Sequence, residues 1–249
     1  MKKFLFQGDS ITDAGRSFDY DDGRGSYGYP TFVAGKLGVK YPGQIEFINR
    51  GISGNRVVDL YARIKRDFIN VKPDVITILI GINDVWHEFG DDPNGVSDEK
   101  YFRVYCSLIE ELKEALPDTT IIILEPFVLK ASATQDKWDE FRNETEKRAK
   151  SAKKVADKYS LPFIPLMDKF DSLAMTAPAD HWLLDGVHPA PAGHEIIAEA
   201  IVDKCEELKL FYQLKQKIIP HGRLTKNACA RFFLPPAAVE NHTIPRTDR

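Results

Sequence analysis

The run VITILI at residues 75–80 decides the fold class, because its branched apolar residues continue without the polar alternation of a half-exposed strand. A second run of this kind, TIIIL, stands at residues 120–124. Continuously apolar strands are typical of a parallel sheet that is covered on both faces. With three further short runs, the sequence predicts five strands, at residues 3–7, 45–49, 75–80, 120–125 and 163–166.

Segments of helical periodicity separate and follow these strands, at residues 29–37, 57–70, 98–116, 135–159 and 190–208. This alternation predicts a doubly wound α/β fold, a three-layer α/β/α sandwich around a five-stranded parallel sheet. In such folds, sites form at the carboxyl ends of the strands. The residues that follow each strand are therefore the candidates for function.

The composition is ordinary for a globular protein, with 43% hydrophobic and 29% charged residues in a chain of 249. The formal net charge of −3 gives no electrostatic footprint for nucleic acid or an anionic membrane. The N-terminal apolar run ends after Phe6, which is too short for a signal peptide, and no 18-residue apolar stretch could span a bilayer. We expect a cytoplasmic protein that binds neither nucleic acid nor membrane.

The character of the chain changes near residue 211, where the helical periodicity fades. Residues 211–249 contain seven Lys or Arg against two acidic residues, with adjacent prolines at Pro235 and Pro236. We expect one domain over residues 1–210 and a basic, proline-containing C-terminal tail over 211–249. The tail could be disordered or dock on a neighbouring subunit, so a homo-oligomer stays open.

The tripeptide Gly8-Asp9-Ser10 directly follows the first predicted strand. The glycine allows a sharp bend, and a serine at this place presents its hydroxyl at the edge of the sheet. A serine needs a general base to act as a nucleophile. On the tripeptide alone, Ser10 is as good a cap for the following helix as it is a nucleophile.

The segment Asp185-Gly186-Val187-His188 offers a base and its carboxylate in one turn. Asp185 can accept the proton-bearing ring nitrogen of His188 while the other ring nitrogen faces Ser10. The alternative is that Asp185 caps the helix near Ala190 and that His188 is an incidental surface residue.

Two further loops could supply donors for the oxyanion of an acyl-transfer intermediate. The loop after the second strand could present the backbone N–H of Gly54, and the loop after the third strand could present the side-chain amide of Asn83. Each has an alternative as an ordinary turn, in which glycine supplies unusual dihedral angles and Asn caps. Asp9 and Asp84 are interpreted as supporting residues.

These four segments, GDS, a glycine block, GxND and DxxH, occur in the order found in the SGNH (GDSL-like) hydrolases, and the resemblance covers residues 4–208. It implies a flavodoxin-like SGNH fold, with residues 1–210 as the catalytic domain. It also implies Ser10 as nucleophile, His188 as general base and Asp185 as its orienting acid. The Ser10 N–H, the Gly54 N–H and the Asn83 amide would form the oxyanion hole.

The stretches GDSITDAGR, NRGISGNRVVDL, ILIGINDVW and DGVHPAPAGH resemble intracellular acetylxylan and xylo-oligosaccharide esterases of this family. This resemblance implies a serine esterase that removes O-acetyl groups from small carbohydrates, with an acetylated small molecule as its partner. The sequence departs from those relatives at Leu184, where they carry a tryptophan. Trp86 and Tyr27 are candidates for stacking on a sugar ring, although aromatic residues in such loops serve as often in packing.

The histidines show no HExxH or comparable ligand spacing, so we expect no metal and no cofactor. Two alternative functions stay open. The same fold and triad would serve a lysophospholipase or thioesterase. A carbohydrate-binding protein without catalysis is the third hypothesis, and the presence of every motif residue disfavours it.

Overall fold

A computed structural model of the protein describes residues 1–17 and 26–214, which include the whole sheet. Its neighbouring strands are all parallel and lie in the order second, first, third, fourth, fifth. This is the flavodoxin-like order, in which the functional crevice opens where the strand order reverses, beside the first and third strands. The five-stranded parallel sheet predicted from the sequence is confirmed. The strands are β1 (Lys2–Gly8), β2 (Ile45–Asn49), β3 (Val75–Leu79), β4 (Thr120–Leu124) and β5 (Phe163–Ile164).

Helices cover both faces of this sheet, so the predicted three-layer arrangement is also confirmed. The helices, in chain order, are α1 (Ser10–Asp13), α2 (Tyr29–Lys40), α3 (Val57–Ala62), α4 (Ile64–Asp67), α5 (Ile82–Trp86), α6 (Asp98–Ala115), α7 (Trp138–Tyr159), α8 (Met167–Ala174), α9 (Ala179–Trp182) and α10 (Pro191–Glu207). Helices α2, α8 and α10 pack on one face, and α3 and α6 pack on the other. Helix α7 packs beside α6.

Alternate residues of each strand enter one of two hydrophobic cores, as the pleat of a strand requires. Phe4 and Phe6 of β1 point to the α2 face, where the ring of Phe6 lies edge-on to that of Tyr29 at 5.9 Å. Leu5, between them, packs on the other face with Leu60 of α3. Burial on both faces fixes the sheet and leaves the strand ends as the place for polar chemistry.

The predicted helix over residues 57–70 is wrong in its continuity. Helix α3 ends before Arg63, α4 begins after it, and a single 3-10 turn follows at Ile69–Val71. The interruption allows the Arg63 side chain to reach the end of β1, where it donates to the carbonyl of Gly8 at 3.3 Å. A tertiary contact therefore outweighs local helical propensity here.

Two other predicted boundaries differ for local reasons. Strand β5 stops at Ile164 because Pro165 has no N–H to donate, and the next N–H groups, of Leu166 and Met167, bond the Glu125 carboxylate at 2.7 and 2.8 Å. Helix α7 begins at Trp138 and not at residue 135. The preceding residues form a turn that the Thr134 hydroxyl closes.

The last described residues pack on the core, since the Phe211 ring lies 6.2 Å from that of Phe4 and 5.8 Å from that of Tyr41. The remainder of the predicted tail, residues 215–249, lies outside the described residues. Within residues 1–17 and 26–214, no helix combines the length and the apolar character that crossing a membrane would need.

Candidate active site

The turn after β1 sets the position of Ser10. A side chain at Gly8 would place its Cβ 2.3 Å from the carbonyl oxygen of Leu79 on the neighbouring strand, so only glycine fits. Asp9 is the N-cap of α1 and accepts a hydrogen bond from the Ile11 N–H at 3.0 Å. The capping alternative for Ser10 is therefore wrong, because the cap is Asp9 and the Ser10 hydroxyl is left for another partner.

That partner is His188. The Ser10 Oγ lies 2.9 Å from the His188 Nε2, a contact between residues 178 apart in the chain. On the other side of the ring, Nδ1 lies 2.7 Å from the Asp185 Oδ2. An imidazole whose Nδ1 proton bonds a carboxylate keeps Nε2 as the acceptor, so the Ser10 hydroxyl donates to it. Ser10, His188 and Asp185 thus form one hydrogen-bonded row.

Asp185 is held in its charged form by its own turn. Partial burial opposes ionisation, but bonds from the His188 ring and from the N–H groups of His188 and Val187 outweigh it and lower the Asp185 pKa to about 2. The bond to Asp185 in turn raises the pKa of His188 above its ordinary value, against the opposing effect of burial. The capping alternative for Asp185 fails, since the N-cap of α10 is Ala190 and makes no side-chain capping bond.

The loop at residues 129–134 fixes the place of this turn. The Leu129 N–H donates to the Gly186 carbonyl at 2.9 Å, and the Ala133 N–H donates to the Asp185 carbonyl at 3.0 Å. Gly186 has φ +100, and a Cβ there would lie 2.5 Å from the Leu129 carbonyl oxygen and 2.6 Å from the Thr134 Oγ1. Both the backbone conformation and the close approach require glycine.

The two predicted oxyanion loops meet beside this row. Gly54 has φ +81, and the side-chain amide of Asn83 donates to the carbonyl of Asn55 at 3.1 Å. Because an amide carries two N–H groups, one remains without a hydrogen bond within residues 1–17 and 26–214. A fixed amide with a spare N–H can stabilise negative charge on a bound oxygen.

The family follows from comparison with known proteins. Residues 6–196 match the model of the GDSL-like Lipase/Acylhydrolase family, which is most of the chain. The chain belongs to the GDSL-like lipase/acylhydrolase family. It is therefore a carboxylic ester hydrolase.

Individual relatives agree with this assignment. An acetylxylan esterase from Geobacillus stearothermophilus is 36% identical over 211 residues, covering 81% of this chain and 92% of the relative. The crystal structure of the acetylxylan esterase from the same organism has a TM-score of 0.72 at 35% identity, over 82% of this chain and 93% of that one. An α/β hydrolase enzyme from the metagenome of Lake Arreo, Spain, has a TM-score of 0.74 at 28% identity, over 82% and 95%.

Two acidic residues of this GDSL-like hydrolase are buried close to the row. Asp9 is 1% exposed, and its Oδ2 has no hydrogen-bond partner within the described residues. The Asp84 carboxylate is fully buried and accepts from the Val57 N–H at the start of α3. Burial raises the pKa of each to about 7 and outweighs the groups that favour the charged form, chiefly the Ile11 N–H for Asp9 and the Val57 N–H for Asp84. Asp9 thereby fixes the start of α1, and Asp84 fixes the start of α3.

Asp9→Asn tests this protonation. In the unfolded chain Asp9 ionises near pH 3.8, whereas in the folded chain it keeps its proton to about pH 7. The folded state therefore binds more of the Asp9 proton in this window, so the contribution of Asp9 to the free energy of unfolding falls as pH rises from about 4 to 7, by up to about 1.4 kcal/mol per pH unit. Asparagine at this position can still cap α1 but does not titrate. We therefore expect Asp9→Asn to remove the contribution of Asp9 to the pH dependence of the free energy of unfolding, and to be the more stable protein at pH 7.

The measurement is urea unfolding of both proteins at pH 4, 5, 6 and 7, compared as a difference so that the other titrating groups cancel. Asp118→Asn, at an exposed carboxyl, is the matched control and should leave the slope unchanged. A variant that loses stability in parallel with the parent at every pH would contradict a protonated Asp9.

The two predicted aromatic contacts differ in their position relative to the row. The Trp86 ring lies 5.8 Å from the His188 ring, centroid to centroid, and 5.8 Å from that of Phe141. The Tyr27 ring is 66% exposed and contacts His194 at 6.1 Å. Trp86 therefore adjoins the row directly, whereas Tyr27 contacts His194, which is not a member of the row.

Sequence reasoning missed polar residues that hold the loops together. Asp13 of α1 accepts from both the N–H and the hydroxyl of Ser53, at 3.1 and 2.9 Å, in the loop after β2. The Asn49 amide donates to the Thr12 carbonyl at 2.8 Å. Each lies within three residues of a motif, which is the signal that could have drawn attention to it. Within residues 1–17 and 26–214, no group of three or more His, Cys, Asp or Glu residues is arranged to hold a metal ion.

Proposed function

We propose that this GDSL-like hydrolase removes O-acetyl groups from small carbohydrates such as xylo-oligosaccharides, through an acyl-enzyme formed on Ser10. The row from Ser10 through His188 to Asp185, with contacts of 2.9 and 2.7 Å, carries the proposal. A serine, a histidine and a carboxylate in this order are the arrangement that activates a hydroxyl for attack on a carbonyl.

In the first step, the Ser10 Oγ attacks the acetyl carbonyl carbon, and its proton passes to the His188 Nε2. The charge of Asp185 stabilises the imidazolium that forms. The negative charge on the carbonyl oxygen is met by the N–H groups of Ser10 and Gly54 and by the spare N–H of Asn83. The tetrahedral intermediate then collapses, and the sugar oxygen leaves with the proton from His188.

In the second step, water attacks the acetyl group on Ser10. His188 takes the proton of the water and returns one to the Ser10 oxygen as acetate leaves. Each proton moves between Ser10, His188, the substrate and water, so every proton released in one step is taken up in the same cycle.

A cavity beside Trp86 supports a carbohydrate as the leaving group. It measures about 480 Å³ and is lined by Trp86, His87, Phe89, Asp92 and Asn94. Aromatic rings offer flat apolar faces to a sugar ring, and the imidazole, carboxylate and amide can hydrogen-bond its hydroxyl groups. Trp86 lines the cavity and its ring lies 5.8 Å from that of His188, so this ring connects the cavity to the row.

Similarity to an acetylxylan esterase supports the same substrate class. Leu184, immediately before Asp185, is 57% exposed and forms part of the surface beside the row. The aliphatic side chain at this position offers no ring for stacking, so we assign the sugar contact to Trp86.

A substrate panel tests the proposal. We expect acetylated xylo-oligosaccharides to be hydrolysed with kcat/KM at least about tenfold above that for an octanoyl ester, since the His87, Asp92 and Asn94 side chains of the cavity can hydrogen-bond sugar hydroxyls, which an alkyl chain lacks. Acetate release from acetylated xylose, glucose and rhamnogalacturonan oligosaccharides would be measured beside octanoate release. A preference for octanoyl would instead favour a lysophospholipase or thioesterase, and sugar binding without any turnover would favour a carbohydrate-binding protein.

A further inference from the structure

Arg63 is a buried arginine to which the mechanism above gives no role. It stands at the junction of α3 and α4, and its side chain is only 10% exposed. Its charge is balanced by Asp67, which is 2% exposed and lies 3.0 Å from the Arg63 Nη1. Removing two charges from water costs free energy, so the other hydrogen bonds of Arg63 show what the buried pair is used for.

Three of those contacts lead to the proposed active site. The Arg63 Nε donates to the Asn55 Oδ1 at 2.8 Å, and the Nη1 donates to the Gln7 Oε1 at 2.9 Å. The Nη2 donates to the carbonyl oxygen of Gly8 at 3.3 Å. Gln7 and Gly8 end the strand that leads into Ser10, and Asn55 directly follows Gly54. One guanidinium therefore joins the strand of the nucleophile to the oxyanion loop.

Asn55 also connects Arg63 to the loop after β3. Its side chain accepts from Arg63, and its main-chain carbonyl accepts from the Asn83 amide at 3.1 Å. The Gly8 carbonyl likewise accepts from the Ile52 N–H at 3.1 Å. The loops that carry all three proposed oxyanion donors are thus connected, directly or through one residue, to Arg63.

The chemistry of this place requires an arginine. A guanidinium is planar and holds five N–H donors in a fixed fork, so it can serve acceptors on several segments at set angles. A lysine ammonium has three donors on one nitrogen and cannot span the same acceptors. Lysine at this position could balance the charge of Asp67 without fixing Asn55 and Gly8.

We propose that Arg63 is a positioning residue of the esterase reaction, which holds Asn55 and Gly8 so that the Gly54 and Asn83 donors face the substrate carbonyl above Ser10. It contacts no reacting atom and acts through its neighbours. The proposal rests on the proposed function, because it takes Ser10 as the nucleophile and Gly54 and Asn83 as donors.

The competing explanation is that Arg63 only neutralises Asp67. Arg66 makes a matched control for it, because Arg66 also bonds Asp67, with its Nε and Nη2 each at 2.8 Å, but is 72% exposed. Arg66→Gln therefore perturbs the same carboxylate and leaves Asn55 and Gly8 untouched.

The experiment compares Arg63→Lys, Asn55→Ala, the double variant and Arg66→Gln on an activated acetate ester. Each is assayed below its own measured unfolding transition, so that only folded enzyme contributes. We expect Arg63→Lys and Asn55→Ala each to lower kcat by about tenfold or more and to leave KM within about twofold of the parent. Misplaced donors stabilise the transition state less, whereas substrate binding depends little on them. The double variant should be little worse than Arg63→Lys alone, because Arg63→Lys already breaks the bond to Asn55. Arg66→Gln should behave as the parent.

An unchanged kcat in folded Arg63→Lys, or losses that multiply in the double variant, would overturn the role of Arg63. Where Arg63→Lys does not fold, Asn55→Ala decides the question, since it removes the Arg63 acceptor and keeps the pair with Asp67. Ser10→Ala is assayed in parallel. Activity retained by Ser10→Ala would reject the proposed function itself. If Ser10→Ala is inactive and Asn55→Ala keeps a normal kcat, only the positioning role of Arg63 is rejected.

Discussion

Ser10→Ala is expected to lower kcat for acetate-ester hydrolysis by about 10⁴- to 10⁶-fold, because it removes the atom that would form the acyl-enzyme. The fold should be unaffected, since Asp9 supplies the cap of α1 and no described packing contact depends on the hydroxyl. The variant would be assayed with an activated acetate ester, and its thermal unfolding compared with that of the parent.

Ser172→Ala is the matched control for this variant. The Ser172 hydroxyl is exposed on α8, and within the part of the chain that the structure describes it bonds only the Asp168 carbonyl one turn earlier, at 2.8 Å. Its activity should equal that of the parent. An Ser10→Ala enzyme with more than a small fraction of the parent's activity would rule out Ser10 as the nucleophile.

Asp185→Asn is expected to lower kcat by about 10⁴-fold and to change its pH dependence. An amide N–H facing Nδ1 would drive the His188 proton to Nε2, where it can no longer accept from Ser10. The His188 pKa, now raised by Asp185, should also fall back towards its ordinary 6.5. Activity needs neutral His188, so the rise of kcat/KM with pH should lie above 6.5 in the parent and move to lower pH in the variant.

The pH profile of kcat/KM between pH 5 and 9 measures both effects at once. Asp180→Asn, at an exposed carboxyl in α9, serves as the control and should keep the profile of the parent. If Asp185→Asn stayed within about tenfold of the parent with an unmoved profile, Asp185 would not be the partner of the base.

Much of this architecture could be predicted from the sequence because its signals are local. The runs at residues 75–80 and 120–124 have the apolar pattern of covered strands, and β3 and β4 lie there. Ser10, Asn83 and the segment from Asp185 to His188 follow strand ends or form a single turn, so they stand out as candidates, and the order of the four motifs distinguishes them from ordinary caps and turns. Their assembly then follows from the rule that parallel strands end at one edge.

The contacts that connect these loops could not be predicted in the same way. Arg63 looks like one more charged residue on a continuous helix, and only its acceptors at Gly8 and Asn55 distinguish it. Those acceptors come from segments that the fold brings together and the sequence keeps apart. Likewise, the end of β5 depends on the Glu125 carboxylate, which lies 41 residues from the Leu166 N–H that it accepts. Local propensity does not depend on partners that are distant in the sequence, so it cannot predict them.

The 178-residue separation between Ser10 and His188 has a consequence for the synthesis of the protein. The ribosome makes the strand that leads into Ser10 well before it reaches His188, which follows 178 residues later. On the proposed mechanism, an incomplete chain carries a nucleophile without its base, however well its early strands have formed. On this mechanism, translation products that end before residue 188 would have no esterase activity.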